Sequence, residues 1–242
     1  MTPLTCPACG SHERRHFLRW AGAAALVGGG MAPGLVQAVA LSKAQRDRMT
    51  PDEILQVMKQ GNQRFRKGAR QGRDFLAQQR ATAKGQHPAA VLLTCIDSRA
   101  PAETIMDLGI GDIFNSRVAG NIANDDILGS MEFACKLSGA KVVLVMGHTA
   151  CGAIKGAIDN AELGHLTGLL AKIKPAVEAT RYSGARTSSN YAFVDAVART
   201  NVEMTMTQIR ERSPVLRELE SAGAIKIAGA MYSLETGAVE FF

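Results

Sequence analysis

The sequence predicts an α/β fold, a largely parallel central β-sheet flanked by helices. Two apolar runs carry most of that prediction. Residues 91–99 read VLLTCIDSR and residues 141–158 read KVVLVMGHTACGAIKGAI, each with a short unbroken stretch of Val and Leu near its start. Strands with one wet face alternate in polarity, whereas unbroken apolar strands are buried on both faces, as in parallel sheets covered by helices. The third observation is that segments of helical length, with recognisable caps, separate these runs, so strand and helix alternate along the chain. With 242 residues, 46% hydrophobic and 21% charged, the composition is that of an ordinary globular protein.

The first forty residues read as an address rather than as structure. Arg14-Arg15-His16-Phe17-Leu18-Arg19 resembles the twin-arginine export pattern, although Glu13 stands where Ser or Thr is usual. A modest apolar run diluted by Gly and Ala follows, then Ala38-Val39-Ala40, a small-residue cleavage site. Three successive glycines and Pro33 interrupt a run already too short to span a membrane. The expected organisation is therefore a cleaved twin-arginine signal over 1–40, recognised by the twin-arginine export machinery, and a single domain over 41–242. Residues 41–80 form its N-terminal helical arm. Cys6-Pro7-Ala8-Cys9 with His12 and His16 looks like a zinc knuckle, but nothing apolar surrounds it, and it is read as an unstructured leader. Cleavage would leave Cys95, Cys135 and Cys151 in an exported protein that faces an oxidising compartment such as the periplasm. The twin-arginine route carries folded proteins, so a metal could be inserted before the thiols meet oxidant.

Elements follow in order from residue 50. Thr50-Pro51-Asp52-Glu53 supplies an N-cap, a first-turn proline and a capping-box glutamate. The helix it starts places Ile54, Met58, Gly61 and Phe65 on one face. Residues 66–85 are basic and Gln-rich, which predicts a solvated arm and a second short helix. After the first apolar run, Pro101 starts a helix to about residue 108, and residues 112–118 read as a strand. Asn124-Asp125-Asp126 caps a helix through residue 137, where Gly139 stops it. Cys135 inside it has no partner at ligand spacing and is read as a small buried hydrophobe. Beyond the second run come a helix, a turn at Asp159-Asn160, and helices over about 166–180 and 190–212. Ser213-Pro214 caps one more. Residues 224–232 and 238–242 close the chain as a hairpin through Glu235-Thr236-Gly237.

Cys95 closes the first predicted strand. His148 and Cys151 follow the second, where Gly147 is expected to break the strand and small residues to open a helix. Amides at that helix N-terminus would favour Cys151 as a thiolate. Two thiolates and one imidazole suit zinc, and three protein ligands are the pattern of a catalytic site with one position open for water. In parallel sheets such sites lie beyond the carboxyl ends of the strands. A net charge of +6, falling to +4 without the three basic residues and one acidic residue of the leader, is mild. No basic cluster is interleaved with aromatics, so nucleic-acid binding is excluded.

Cys95-x-Asp97-x-Arg99, then Arg117-x-Ala-Gly-Asn121, then His148-x-x-Cys151-Gly152, in this order and each after a strand, resembles the β-class carbonic anhydrases. The resemblance implies that fold, one Zn2+ per chain on Cys95, His148 and Cys151, and reversible hydration of carbon dioxide to bicarbonate by a zinc-bound hydroxide. Zinc lowers the pKa of bound water towards ~7. Asp97 would orient that water by accepting its hydrogen, with Arg99 pairing to Asp97 and aiming it away from the metal. In the family the same Asp can swing onto zinc when that pairing breaks. Gln86 matches a glutamine that bonds substrate oxygen, often from the partner subunit, which implies a homodimer or larger homo-oligomer. Leu92 stands where members with a switching bicarbonate site carry Trp, which favours a constitutively open zinc. His87 and His165 occupy no motif position. Two alternatives stay open at this level. One is a same-fold zinc hydrolase acting on carbonyl sulfide or carbon disulfide. The other is a non-catalytic zinc or bicarbonate binder, which would have no need of Gln86, Asp97 and Arg99.

Overall fold

The structure, a computed structural model, describes residues 40–242. The expected export signal over 1–40, with Cys6 and Cys9, lies outside the described residues except for Ala40. Among the described residues there are five strands: β1 Ala90–Thr94, β2 Ile113–Arg117, β3 Val142–His148, β4 Lys226–Tyr232 and β5 Val239–Phe241. They form one sheet in the order β2-β1-β3-β4-β5, parallel except for β5, which returns antiparallel to β4. Every residue of β1 and β3 is buried, because helices cover both faces.

On one face α2 (Pro51–Arg66) and the single turn α4 (Ala102–Ile105) cover the sheet. Ile54, Met58, Ile105 and Met106 meet Leu92, Leu144 and Met146 there. The other face is covered by α5 (Asp125–Glu132), α9 (Tyr191–Arg212) and α10 (Pro214–Ser221). Leu128, Met131, Val202, Ile209 and Leu216 pack there against Val91, Leu93, Val143 and Val145. Alternate residues of β1 thus face opposite layers, as the two-residue period of a strand requires. Burying a side chain of this size contributes about 1.5–3 kcal/mol, so these layers fix the strand ends firmly. A third cluster lies beyond the carboxyl ends, where Cys95 and Cys151 join Ile154, Ile173, Phe193 and Val197.

The structure corrects several sequence expectations. Gly147 does not end β3, which runs through it to His148, with His148 opposite Tyr232 of β4. Glycine is required because α9 crosses here: a Cβ would lie 2.8 Å from both Met231 Sδ and Val202 Cγ2. The helix expected over 166–180 is two, α7 (Gly164–Ala171) and α8 (Lys174–Ala179). Pro175 has no amide hydrogen for a continuous helix and sits in the first turn of α8 instead. The helix expected over 101–108 stops at Ile105, and Asp107 takes a left-handed φ of 49°. A helix not anticipated, α1 (Lys43–Arg48), starts with a reciprocal capping box between Ser42 and Gln45. The short helix after the basic arm is α3 (Phe75–Thr82). The arm itself is only partly solvated. Two of its arginines join Arg64 of α2 on the fully buried Asp107 carboxylate, with Arg64 Nε at 2.6 Å, Arg70 Nε at 3.6 Å and Arg73 Nε at 3.8 Å. A buried carboxylate demands compensating cations, and the arm delivers them.

Candidate metal centre

Cys95 is the first residue past β1 and His148 the last of β3. These strands are parallel neighbours, about 4.8 Å apart, so both side chains emerge at the same edge of the sheet. Cys151 follows as the N-cap of α6 (Gly152–Ile158). The ligand atoms of Cys95, His148 and Cys151 all lie within 4.8 Å of one another, and all three residues are buried. The two sulfurs are 3.9 Å apart.

His148 Nδ1 lies 2.9 Å from the Thr149 carbonyl oxygen, which can only accept, so Nδ1 carries the hydrogen. Nε2 then presents its lone pair inward, where it is buried without a hydrogen-bond partner. An imidazole fixed this way beside two sulfurs is arranged as a metal ligand, and this donor set suits zinc. The two sulfurs lie within hydrogen-bond contact. That contact, with His148 and the backbone amides of Gly120 and Asp97, holds the Cys95 thiol below its ordinary pKa. The same contact and burial push Cys151 above the ordinary thiol value. The amides of Ala153 and Ile154 act in the opposite direction, as expected for a thiol at a helix N-terminus. Burial pushes His148 down, but the Cys95 thiolate, the Thr149 carbonyl and Asp97 carry it above the ordinary imidazole value.

Asp97 stands at the rim of this cluster, its Oδ2 3.8 Å from His148 Nε2. Arg99 grips it with three donors: the backbone amide and Nε reach Oδ1 at 2.9 and 3.0 Å, and Nη2 reaches Oδ2 at 2.8 Å. That grip holds the Asp97 carboxyl well below the usual carboxylate range, against a smaller opposing effect of burial. Gln86 is not brought to the cluster. It is exposed in the loop before β1, at the opposite end of the strand from Cys95. Five strand residues at ~3.3 Å each separate the two ends. Leu92 is fully buried between the sheet and α2.

Sequence reasoning missed the backbone that holds Cys95. The Gly120 amide donates to Cys95 Sγ at 3.4 Å. Gly120 and Asn121 take successive left-handed φ values of 68° and 43°, and the Asn121 amide closes the turn on the Val118 carbonyl at 2.9 Å. Arg117 donates through Nε to the Cys95 carbonyl at 2.9 Å and through Nη2 to the Asp97 carbonyl at 2.6 Å. The Arg-x-Ala-Gly-Asn motif was visible, but only the fold shows which atoms it addresses.

The sequence model for carbonic anhydrase matches residues 90–239, well over half of the chain. Carbonic anhydrase 2 of Mycobacterium tuberculosis is 33% identical over 193 residues, covering 77% of this chain and 90% of that protein. The solved β-carbonic anhydrase of Aspergillus fumigatus superposes with a TM-score of 0.60 at 30% identity, covering 67% of this chain and 79% of that one. This chain belongs to the β-class carbonic anhydrase family. The fold is also shared with a β-carbonic anhydrase of Sordaria macrospora, one of two described as tetrameric. That match has 24% identity and a TM-score of 0.58, over 66% of this chain and 83% of that one. The family match spans Cys95, Asp97, Arg99, His148 and Cys151, and Gln86 lies just ahead of it.

Proposed function

We propose that this chain binds zinc through Cys95, His148 and Cys151 and catalyses reversible hydration of carbon dioxide to bicarbonate and a proton. The observation that carries this reading is three buried soft ligand atoms converging beside a carboxylate that three Arg99 donors hold ionised. When bound, zinc supplies Lewis acidity that brings the pKa of a coordinated water from 15.7 towards ~7. Asp97, ionised throughout the working range, accepts a hydrogen from the attacking water and so aims its lone pair. Arg99 occupies both carboxylate oxygens and keeps Asp97 off the ligand cluster, which supports an open resting site. Arg117 steadies the same strand end through the two carbonyls it binds.

Stopped-flow carbon dioxide hydration, with zinc counted on the same sample at mildly acidic and mildly alkaline pH, tests this directly. Fast turnover at about one zinc per chain at both pH values is expected. Full zinc without hydration at either pH overturns the proposal, and turnover confined to alkali overturns the open-site part.

Gln86 completes this reading from a partner subunit. Its place at the far end of its own β1 supports a homo-oligomer of at least two chains, as does the tetrameric description of the Sordaria relatives. Export by the twin-arginine route belongs to the proposal on the strength of the Arg14–Arg19 pattern, the apolar run after it and Ala38-Val39-Ala40. Cell fractionation tests it: the native chain is expected in the periplasm, and Arg14→Lys with Arg15→Lys in the cytoplasm.

A further inference from the structure

Two of the three ligands are carried by one very short turn. Between His148 at the end of β3 and Cys151 at the cap of α6, only Thr149 and Ala150 reverse the chain. Ala150 does so at φ 54°, the left-handed region where a Cβ is disfavoured. Thr149 is anchored to the end of β4: its amide donates to the Tyr232 carbonyl at 2.9 Å, and its hydroxyl accepts from the Leu234 amide at 3.0 Å. The Ala150 amide donates instead to Asp195 Oδ1 at 2.8 Å, across the gap to α9. Asp195 is the fifth residue of α9, beyond the helix's own unpaired amides, and Asn190 already caps that end. Capping therefore does not explain an aspartate here.

We propose that Asp195 is a positioning residue for metal binding: its carboxylate holds Ala150 left-handed and thereby sets Cys151 Sγ against Cys95 and His148. This rests on the metal-binding reading above. An ionised acceptor makes a stronger bond to an amide than a neutral one, which offsets the backbone strain at Ala150. The same helix braces the other side of the site, because Asn201 donates to the Gly120 carbonyl at 2.8 Å, next to the amide that reaches Cys95. One rigid element thus holds the turn that carries His148 and Cys151 and the Gly120 turn that supports Cys95.

The test is zinc affinity of the full chain by chelator competition, together with hydrogen exchange of the Ala150 amide in the metal-free protein. Asp195→Ala is expected to weaken zinc about 10–100-fold, the usual effect of removing a residue that orients a ligand, and to speed exchange at Ala150. Adding Ala150→Gly to Asp195→Ala is expected to restore affinity to within ~3-fold of the native protein, because glycine adopts positive φ without a Cβ penalty. General loss of packing would not be rescued by a backbone change at a different residue. Native affinity in Asp195→Ala, or a double variant as weak as the single one, overturns the proposal. A native protein that binds no zinc removes the metal reading, whereas unchanged Ala150 exchange in Asp195→Ala refutes the Asp195 contact itself.

Discussion

Cys95 and Cys151 are the same side chain in different electrostatic settings, and the difference has a consequence for variants. Cys95 collects the Gly120 and Asp97 amides, while Cys151 depends on its turn for placement. Cys151→Ala removes one of three ligands and is expected to lose zinc and activity together, read as metal content by atomic absorption beside the hydration rate. Asp97→Ala leaves the ligands in place. It is expected to retain about one zinc per chain while hydration falls ~10²–10⁴-fold, the usual worth of a positioned proton acceptor. A fully active Asp97→Ala would end the role assigned to that carboxylate. The convergence of Cys95, His148 and Cys151 beside Asp97 was legible in the sequence because each is a chemically distinctive side chain at the end of a recognisable strand. What held them was not, because a backbone amide such as that of Gly120 leaves no mark in the sequence. The aspartate on α9 stands far downstream of the loop it touches.

At the scale of elements, the capping box of α2 and the buried strands were readable because their signals are local. Boundaries set by distant contacts were not. Gly147 looked like a strand breaker because the crossing of α9 over β3 is invisible from the sequence around it. Gly147→Ala would press a methyl against Met231 and Val202 and is expected to cost about 1–3 kcal/mol of stability, measured by urea denaturation. A second junction joins α9, α10 and β4 through Arg210, which donates to both Glu220 oxygens at 2.8 Å and to the Ile227 carbonyl at 3.1 Å. Burial pushes the Glu220 carboxyl up, but Arg210 outweighs it and leaves the pKa below the ordinary value. A carboxyl lowered in the folded state stabilises fully above its unfolded pKa of about 4.3 and loses that contribution as pH falls through the folded value. The pair is partly exposed, so after screening its worth is about 1 kcal/mol. Glu220→Gln is expected to lower stability by that amount at pH 7 and by progressively less as pH falls below 4. A deficit that stayed constant with pH would show that packing, not charge, is what the pair contributes.

For the whole molecule, the decisive residue is the one that its own chain leaves out of the site. Gln86 sits at the amino end of β1 and Cys95 just past its carboxyl end, so folding alone separates a glutamine that the family resemblance assigns to substrate. No local sequence pattern records which neighbouring copy a loop approaches, so a partner-subunit role for Gln86 came from the family resemblance alone. Sharing across a two-fold axis makes a specific prediction, because each site would combine Asp97 of one chain with Gln86 of the other. Gln86→Ala and Asp97→Ala homo-oligomers are each expected to be strongly impaired. In a mixed dimer, the Gln86→Ala chain contributes an intact Asp97 and its partner an intact Gln86, so one of the two sites is whole. Random re-association of equal amounts then yields half mixed dimers with one working site each, about a quarter of native activity. The measurement is hydration rate after the two variants are unfolded together with zinc, refolded and compared with each refolded alone. Recovery well above either variant places Gln86 in the partner's site. Activity no higher than the average of the two means that each chain builds its site alone, and that Gln86 serves only its loop.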